Sequence, residues 1–112
     1  MHEERRRTLR FPFEASAEVC SEENAAAKMP ARVTELSLHG CFFQMSNPFP
    51  ERTAVLLKIF VEGSFFETQA TVVYVKPNVG VGVAFNDLKP YFVDVLKKWL
   101  LEAMLAKNKK SG

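Results

Sequence analysis

The feature that most constrains this chain is a change of period. From Ala15 to Phe85 apolar and polar side chains alternate in short segments punctuated by turn formers, and from Pro90 onward the apolar residues recur at helical spacing. Ala15 to Cys20 reads as a first strand, with Ala15, Ala17 and Val19 opposite Ser16, Glu18 and Cys20. A polar connector, Ser21 to Lys28, has scope for a turn of helix. Met29 to Leu36 is the second strand, predicted to set Arg32, Thr34 and Leu36 on one side and Val33, Glu35 and Ser37 on the other. Cys41 to Met45 is the third. The two prolines of Asn47-Pro48-Phe49-Pro50 exclude a central strand there. Thr53 to Val61 turns at Glu62-Gly63 into Phe65 to Lys76, where Phe66, Thr68, Ala70, Val72 and Tyr74 are expected to share a face. After the Pro77-Asn78 turn, Val79 to Phe85 sets Val81, Val83 and Phe85 opposite Gly80, Gly82 and Ala84. A face of such small groups takes either close packing by another element or a flat ligand.

Pro90 suits a first helical position, and Phe92, Val95, Leu96, Trp99, Leu100, Ala103 and Met104 form one apolar stripe. Leu101 and Leu105 widen it beyond what one packing surface needs. A helix capping an open barrel end explains most of this. The excess also offers a surface for another protein, either an effector or a second copy in a homodimer through the C-terminal helix. The expected fold is all-β: a six-stranded antiparallel β-barrel with a C-terminal α-helix. With 112 residues and 47% hydrophobic content, one domain accounts for residues 1–112, comprising a flexible arginine-rich arm at 1–12, the barrel at 15–86 and the helix at 90–107.

Composition excludes several function classes. A formal net charge of +2 is too small for bulk nucleic-acid binding, and those of the ten phenylalanines that fall on strands sit at core spacing, on strands poor in basic groups, so no nucleic-acid partner is expected. Two cysteines, Cys20 and Cys41, make no disulfide framework and lack metal-ligand spacing; a single bridge between them stays open. No apolar run reaches the roughly 20 residues that span a bilayer, and Met1-His2-Glu3-Glu4 is not a leader, so a cytoplasmic protein without membrane insertion is expected. Ser37 and His39 lie two apart on a turn with no carboxylate placed to orient the imidazole, which is no nucleophile and base pair. There is neither a phosphate-cradling GxxxxGK[ST] nor a GxGxxG opening a helix. No catalytic residue, metal or cofactor is assigned, and the chain reads as a non-enzyme.

What remains is binding chemistry. Arg5, Arg6, Arg7 and Arg10 place four guanidiniums within six residues of a segment too charged to enter a core. Each fork matches a phosphate or the O6/N7 edge of guanine by two parallel hydrogen bonds. Further on, Glu35-Leu36-Ser37-Leu38-His39-Gly40 interrupts the strands with a polar turn. Arg5-Arg6-Arg7-Thr8-Leu9-Arg10 resembles the RRxxxR motif of the PilZ domains, bacterial receptors for cyclic di-GMP. The Glu35 to Gly40 turn resembles their [D/N]xSxxG, and Gly80-Val81-Gly82-Val83-Ala84-Phe85 resembles their last strand. Glu35 departs from the motif, keeping the carboxylate but adding a methylene.

The resemblance implies a second-messenger receptor or adaptor with cyclic di-GMP as its ligand, read by a downstream protein effector. The expected ligand-binding residues are Arg5, Arg6, Arg10, Glu35, Ser37 and Gly40. Arg6 and Arg10 would clamp phosphate and a guanine edge, with Arg5 adding a fork or a cation-π face. Glu35 would accept from guanine N1 and N2, Ser37 would bond a phosphate or amine, and Gly40 would let the base approach. The arm is expected to be mobile when free and fixed when bound. The alternative reading is a PilZ-like protein-interaction module that does not bind nucleotide.

Overall fold

In the computed structural model, which describes the backbone of residues 10–111 and side chains to 106, the alternating segments become strands β1 Phe11–Ser21, β2 Met29–Leu36, β3 Gly40–Gln44, β4 Ala54–Val61, β5 Ser64–Lys76 and β6 Gly80–Asn86. A 3-10 turn, Glu22–Asn24, forms within the first connector, and α1 spans Pro90–Ser111. All strand pairs are antiparallel, in the order β1-β2-β3-β6-β5-β4, and β4 pairs back onto β1 to close the barrel. Closure gives each of these strands a neighbour on both sides. The inward residues, among them Val33, Leu36, Phe43, Val55, Leu57, Ile59, Phe66 and Val81, are fully buried and fill the lumen.

Three strands change phase along their length. β2 slips register between Val33 and Glu35, so that Val33 and Leu36 are buried while Arg32 and Glu35 are exposed. The expectation of one phase, with Leu36 beside Arg32 and Glu35 beside Val33, fails because the extra residue of a bulge, Thr34, turns the rest of the strand over. β5 does the same between Val72 and Tyr74: Phe66, Thr68, Ala70 and Val72 point inward, Val73 is exposed, and Tyr74 emerges on the outer face. Tyr74 therefore does not belong to the inward set in which simple alternation placed it. β1 slips between Pro12 and Ala15 and begins at Phe11, which pairs with Leu36 as Pro12 pairs with Glu35. The expected arm thus gives way to strand before residue 12, because the irregular Pro12–Ala15 step hides the alternation that would have revealed it.

α1 lays Leu96, Trp99 and Leu100 into the core, with Phe92 and Val95 partly buried beside them. Trp99 stacks on Phe13 with ring centroids 5.7 Å apart and meets Phe66 at 6.3 Å. Leu101, Met104 and Leu105 are exposed, so Met104 does not join the packed stripe as expected; the helix has passed beyond the barrel wall by that turn. Cys20 and Cys41 are both free and buried. Cys41 pairs with Leu36, which pairs with Phe11, and Cys20 lies at the other end of β1. That is roughly 30 Å of strand at 3.3 Å per residue, well beyond disulfide reach.

Phe66 is fully buried and touches the rings of Phe85, Phe92 and Trp99. Phe66→Ala should cost about 3–5 kcal/mol. Urea unfolding followed by the fluorescence of Trp99, the single tryptophan, measures it.

Candidate functional site

The two bulges bring one row of residues onto the outer face of the barrel. Register aligns Glu35 of β2 with Phe42 of β3, Phe42 with Gly82 of β6, and Gly82 with Tyr74 of β5. Three interstrand steps separate the ends, roughly 14 Å at 4.8 Å per step. The Tyr74 ring lies down along this row. A Cβ on Gly82 would overlap that ring, so the glycine is the space the ring occupies. Beyond Gly82, Tyr74 stacks on Phe42 at 6.1 Å and 17° between planes, and Lys76 Nζ covers the same Phe42 at 5.2 Å. Phe42 is buried although it points away from the lumen.

Arg10, just ahead of β1, closes the row. Its Nη1 donates to the Tyr74 hydroxyl at 3.1 Å and to Glu35 Oε1 at 3.3 Å, and its Cζ lies 5.9 Å from the Tyr74 ring centre. These contacts, the Tyr74 hydrogen bond first, outweigh partial burial and raise the Arg10 pKa above its ordinary value, so the cation is permanent. The Arg10 and Glu35 side chains are 53% and 48% exposed. A pair so open to water contributes at most about 1 kcal/mol and opens readily to a competing anion. Both bonds leave from one nitrogen; among the described residues Nε and Nη2 have no partner.

Arg10 is the wall shared by two clefts. One, of about 430 Å³, is lined by Ser37, His39, Gly40, Cys41, Val73, Tyr74, Val83 and Ala84 besides Arg10. The other, of about 490 Å³, lies against Pro12, Thr34 and Glu35. Both fall in the range of small-molecule sites.

The polar turn after β2 is tied to itself. Ser37 Oγ accepts from the backbone N–H of His39 and of Gly40, each at 3.2 Å, and donates to the Gly40 carbonyl at 3.1 Å. Ser37 N–H donates to the same carbonyl, and His39 O accepts from Phe85 N–H of β6. Ser37 is 3% exposed, so it does not share a face with Glu35 as expected; β2 ends at Leu36, and beyond it the turn, not strand alternation, folds Ser37 inward onto its own backbone. Gly40 lines the first cleft, and a Cβ there would strike the Val83 carbonyl, so its bare backbone serves contact with β6. Cys41 is pushed well up from the usual thiol range by burial, against a smaller opposing pull from the Arg10 charge. Of the expected ligand residues, the structure thus gathers Arg10, Glu35, Ser37 and Gly40 at one end of the barrel. Arg5 and Arg6 lie outside the described residues.

A family model described as PilZ domain matches residues 4–102. The chain belongs to the PilZ domain family. Among solved structures, the PilZ domain with c-di-GMP of YcgR from Escherichia coli superposes with a TM-score of 0.76 at 15% identity, covering 96% of this chain and 97% of that one. The Bacillus subtilis inhibitor of motility, MotI/DgrA, gives 0.73 at 14% identity over 89% of this chain and 51% of its own. The PilZ domain of CeSA from a cellulose synthesizing bacterium gives 0.59 at 20%, over 70% and 82%. At these identities the likeness is one of fold. Comparison with curated protein sequences gave no match.

Within this PilZ domain, the residue that sequence reasoning missed is Tyr74. Its signal was present: a phenol sharing a face with Phe66, Ala70 and Val72 needs a hydrogen-bond partner if that face is a dry interior, and facing glycines on the neighbouring strand leave room for a ring outside.

Two outcomes test the geometry. Ser37→Ala leaves the His39 and Gly40 N–H groups without their acceptor and should destabilise the fold by about 1–3 kcal/mol, read by urea denaturation. Cys41 should resist iodoacetamide in the folded protein up to pH 9 and react once unfolded, as mass spectrometry of the labelled peptide reports. By the same linkage, the unfolded thiol ionises above about pH 8.5 while the folded one keeps its proton, so stability falls as pH rises from there.

Proposed function

We propose that this PilZ domain is a cytoplasmic receptor for cyclic di-GMP whose ligand-bound form is read by a downstream protein effector. The observation that carries the reading is Arg10, a permanent cation held, among the described residues, through Nη1 on the rim between two clefts. A dianionic dinucleotide has two guanines for two hollows and a phosphate for the fork between them. Glu35, exposed beside Arg10, supplies an acceptor for guanine N1 and N2. Ser37 contributes by fixing the turn and Gly40 by lining the cleft. Arg5 and Arg6 complete the binding set through the family motif.

Magnitudes set what the site must do. A micromolar complex needs about 8 kcal/mol, and one arginine fork on guanine supplies about 1–3. Several contacts must therefore form together, against a cost of at most about 1 kcal/mol for opening the Arg10–Glu35 pair.

Two observations favour a second reading, a PilZ domain that does not bind nucleotide and serves as an interaction module. The Glu35 carboxylate already occupies Arg10, and α1 exposes Leu101 and Leu105 beyond the barrel.

Calorimetric titration with cyclic di-GMP, with GTP and GMP as controls, separates the two. The receptor reading expects saturable heat from cyclic di-GMP alone and at least a tenfold loss of affinity in Arg10→Ala. No heat from the wild-type chain, or affinity unchanged in Arg10→Ala, overturns it.

A further inference from the structure

We infer that Tyr74 is the positioning residue for the ligand-binding arginine, holding the Arg10 fork across the rim of the two clefts. The inference rests on the receptor reading above. Three independent features of the chain serve one outcome. The Val73 bulge takes Tyr74 out of the lumen, where the phase of Phe66, Thr68, Ala70 and Val72 would have put it. Gly82 leaves room for the ring to lie flat on β6, since any Cβ there overlaps it. Phe42 presents a nearly parallel ring, 17° from that of Tyr74, on which it rests. Together they carry a phenol oxygen from β5 across β6 to within 3.1 Å of Arg10 Nη1.

A ring pinned on one side by the strand and stacked on the other has few rotamers left, so its hydroxyl is a fixed acceptor. Glu35, by contrast, is a half-exposed flexible side chain, which neutralises Arg10 without fixing its plane. Tyr74 and Glu35 meet the same Nη1, and among the described residues the opposite edge of the guanidinium, Nε and Nη2, has no partner. Accepting from Arg10 also leaves the phenol its own O–H hydrogen, a neutral donor beside the fork that suits a phosphate oxygen.

The substitution that isolates this role is Tyr74→Phe, which keeps the ring, its stacking and its fit over Gly82 and removes one oxygen. In the intact chain it should leave the urea midpoint unchanged, because the lost bond is solvent-facing. It should lower cyclic di-GMP affinity about tenfold, the equivalent of one charge-assisted hydrogen bond. In ligand-free protein, nitrogen-detected NMR should show separate, slowly exchanging Arg10 Nη signals in the wild type that average in Tyr74→Phe. A purely structural tyrosine would move the urea midpoint and not these signals. Binding in the wild type that Tyr74→Phe leaves unaltered overturns the inference alone. Absence of binding heat in the wild type overturns the receptor reading and the inference with it.

Discussion

The site depends on two single-residue insertions into the ladder, at Thr34 and Val73. A strand in a closed barrel has one face for the lumen and one for solvent, and a regular strand keeps each side chain on its assigned face for its whole length. Without the slip in β2, Glu35 would enter the lumen and Leu36 would leave it. Without the slip in β5, Tyr74 would compete with Phe66 and Val72 for core volume. Each bulge lets its strand fill the core on both sides of the slip while re-aiming one side chain, Glu35 or Tyr74, to the exterior. Since β2 and β5 lie on either side of β3 and β6, the two re-aimed side chains meet over a platform those inner strands provide.

That platform explains residues that the lumen does not. Phe42 is buried on the outside of a barrel because Tyr74 and Lys76 cover it, forming a small second layer beyond the wall. Gly82 is determined by this layer as strictly as Val81 and Val83 are by the core. Gly40 and Ser37 belong to the same end but act on the backbone: one lets β3 approach β6, the other replaces the missing ladder bonds of the turn. Polar groups near the site are thus either fastened, like Ser37, or half-exposed and exchangeable, like Glu35.

The sequence carried most of the fold because alternation, turn residues and the closing helical period are local signals. Strand β2 reads from Met29 to Leu36 as it forms, and the family motifs led to Arg10, Glu35, Ser37 and Gly40. What local pattern does not carry is phase. A bulge adds one residue without changing composition, so the faces of Glu35 and Tyr74 read wrongly while the strands containing them read rightly, and Ser37 lies past the end of β2, where alternation no longer applies. The start of β1 was hidden for the same reason, since its slip between Pro12 and Ala15 breaks the alternation. The phenol alone hinted at Tyr74, but where its ring goes is set by pairing: its partner Gly82 is adjacent in space and eight residues away in the chain, and no single-strand pattern connects them.

This arrangement separates the energetics of folding from those of the proposed binding site. The barrel is held by dry packing around Phe43, Phe66 and Trp99, where a lost ring costs several kcal/mol. At the site the charges stay in water: Arg10 and Glu35 are about half exposed, at 53% and 48%, and their pairing is worth about 1 kcal/mol or less. Under the proposed receptor role a weak native contact serves better than a strong one would, because whatever Arg10 gives to Glu35 must be surrendered before a ligand can take it. The contact with Tyr74 differs in kind, since a neutral phenol directs the guanidinium without neutralising it and leaves the charge available to an incoming anion. Orientation is therefore supplied by an uncharged, sterically trapped ring, and charge by a side chain whose partner is easily displaced.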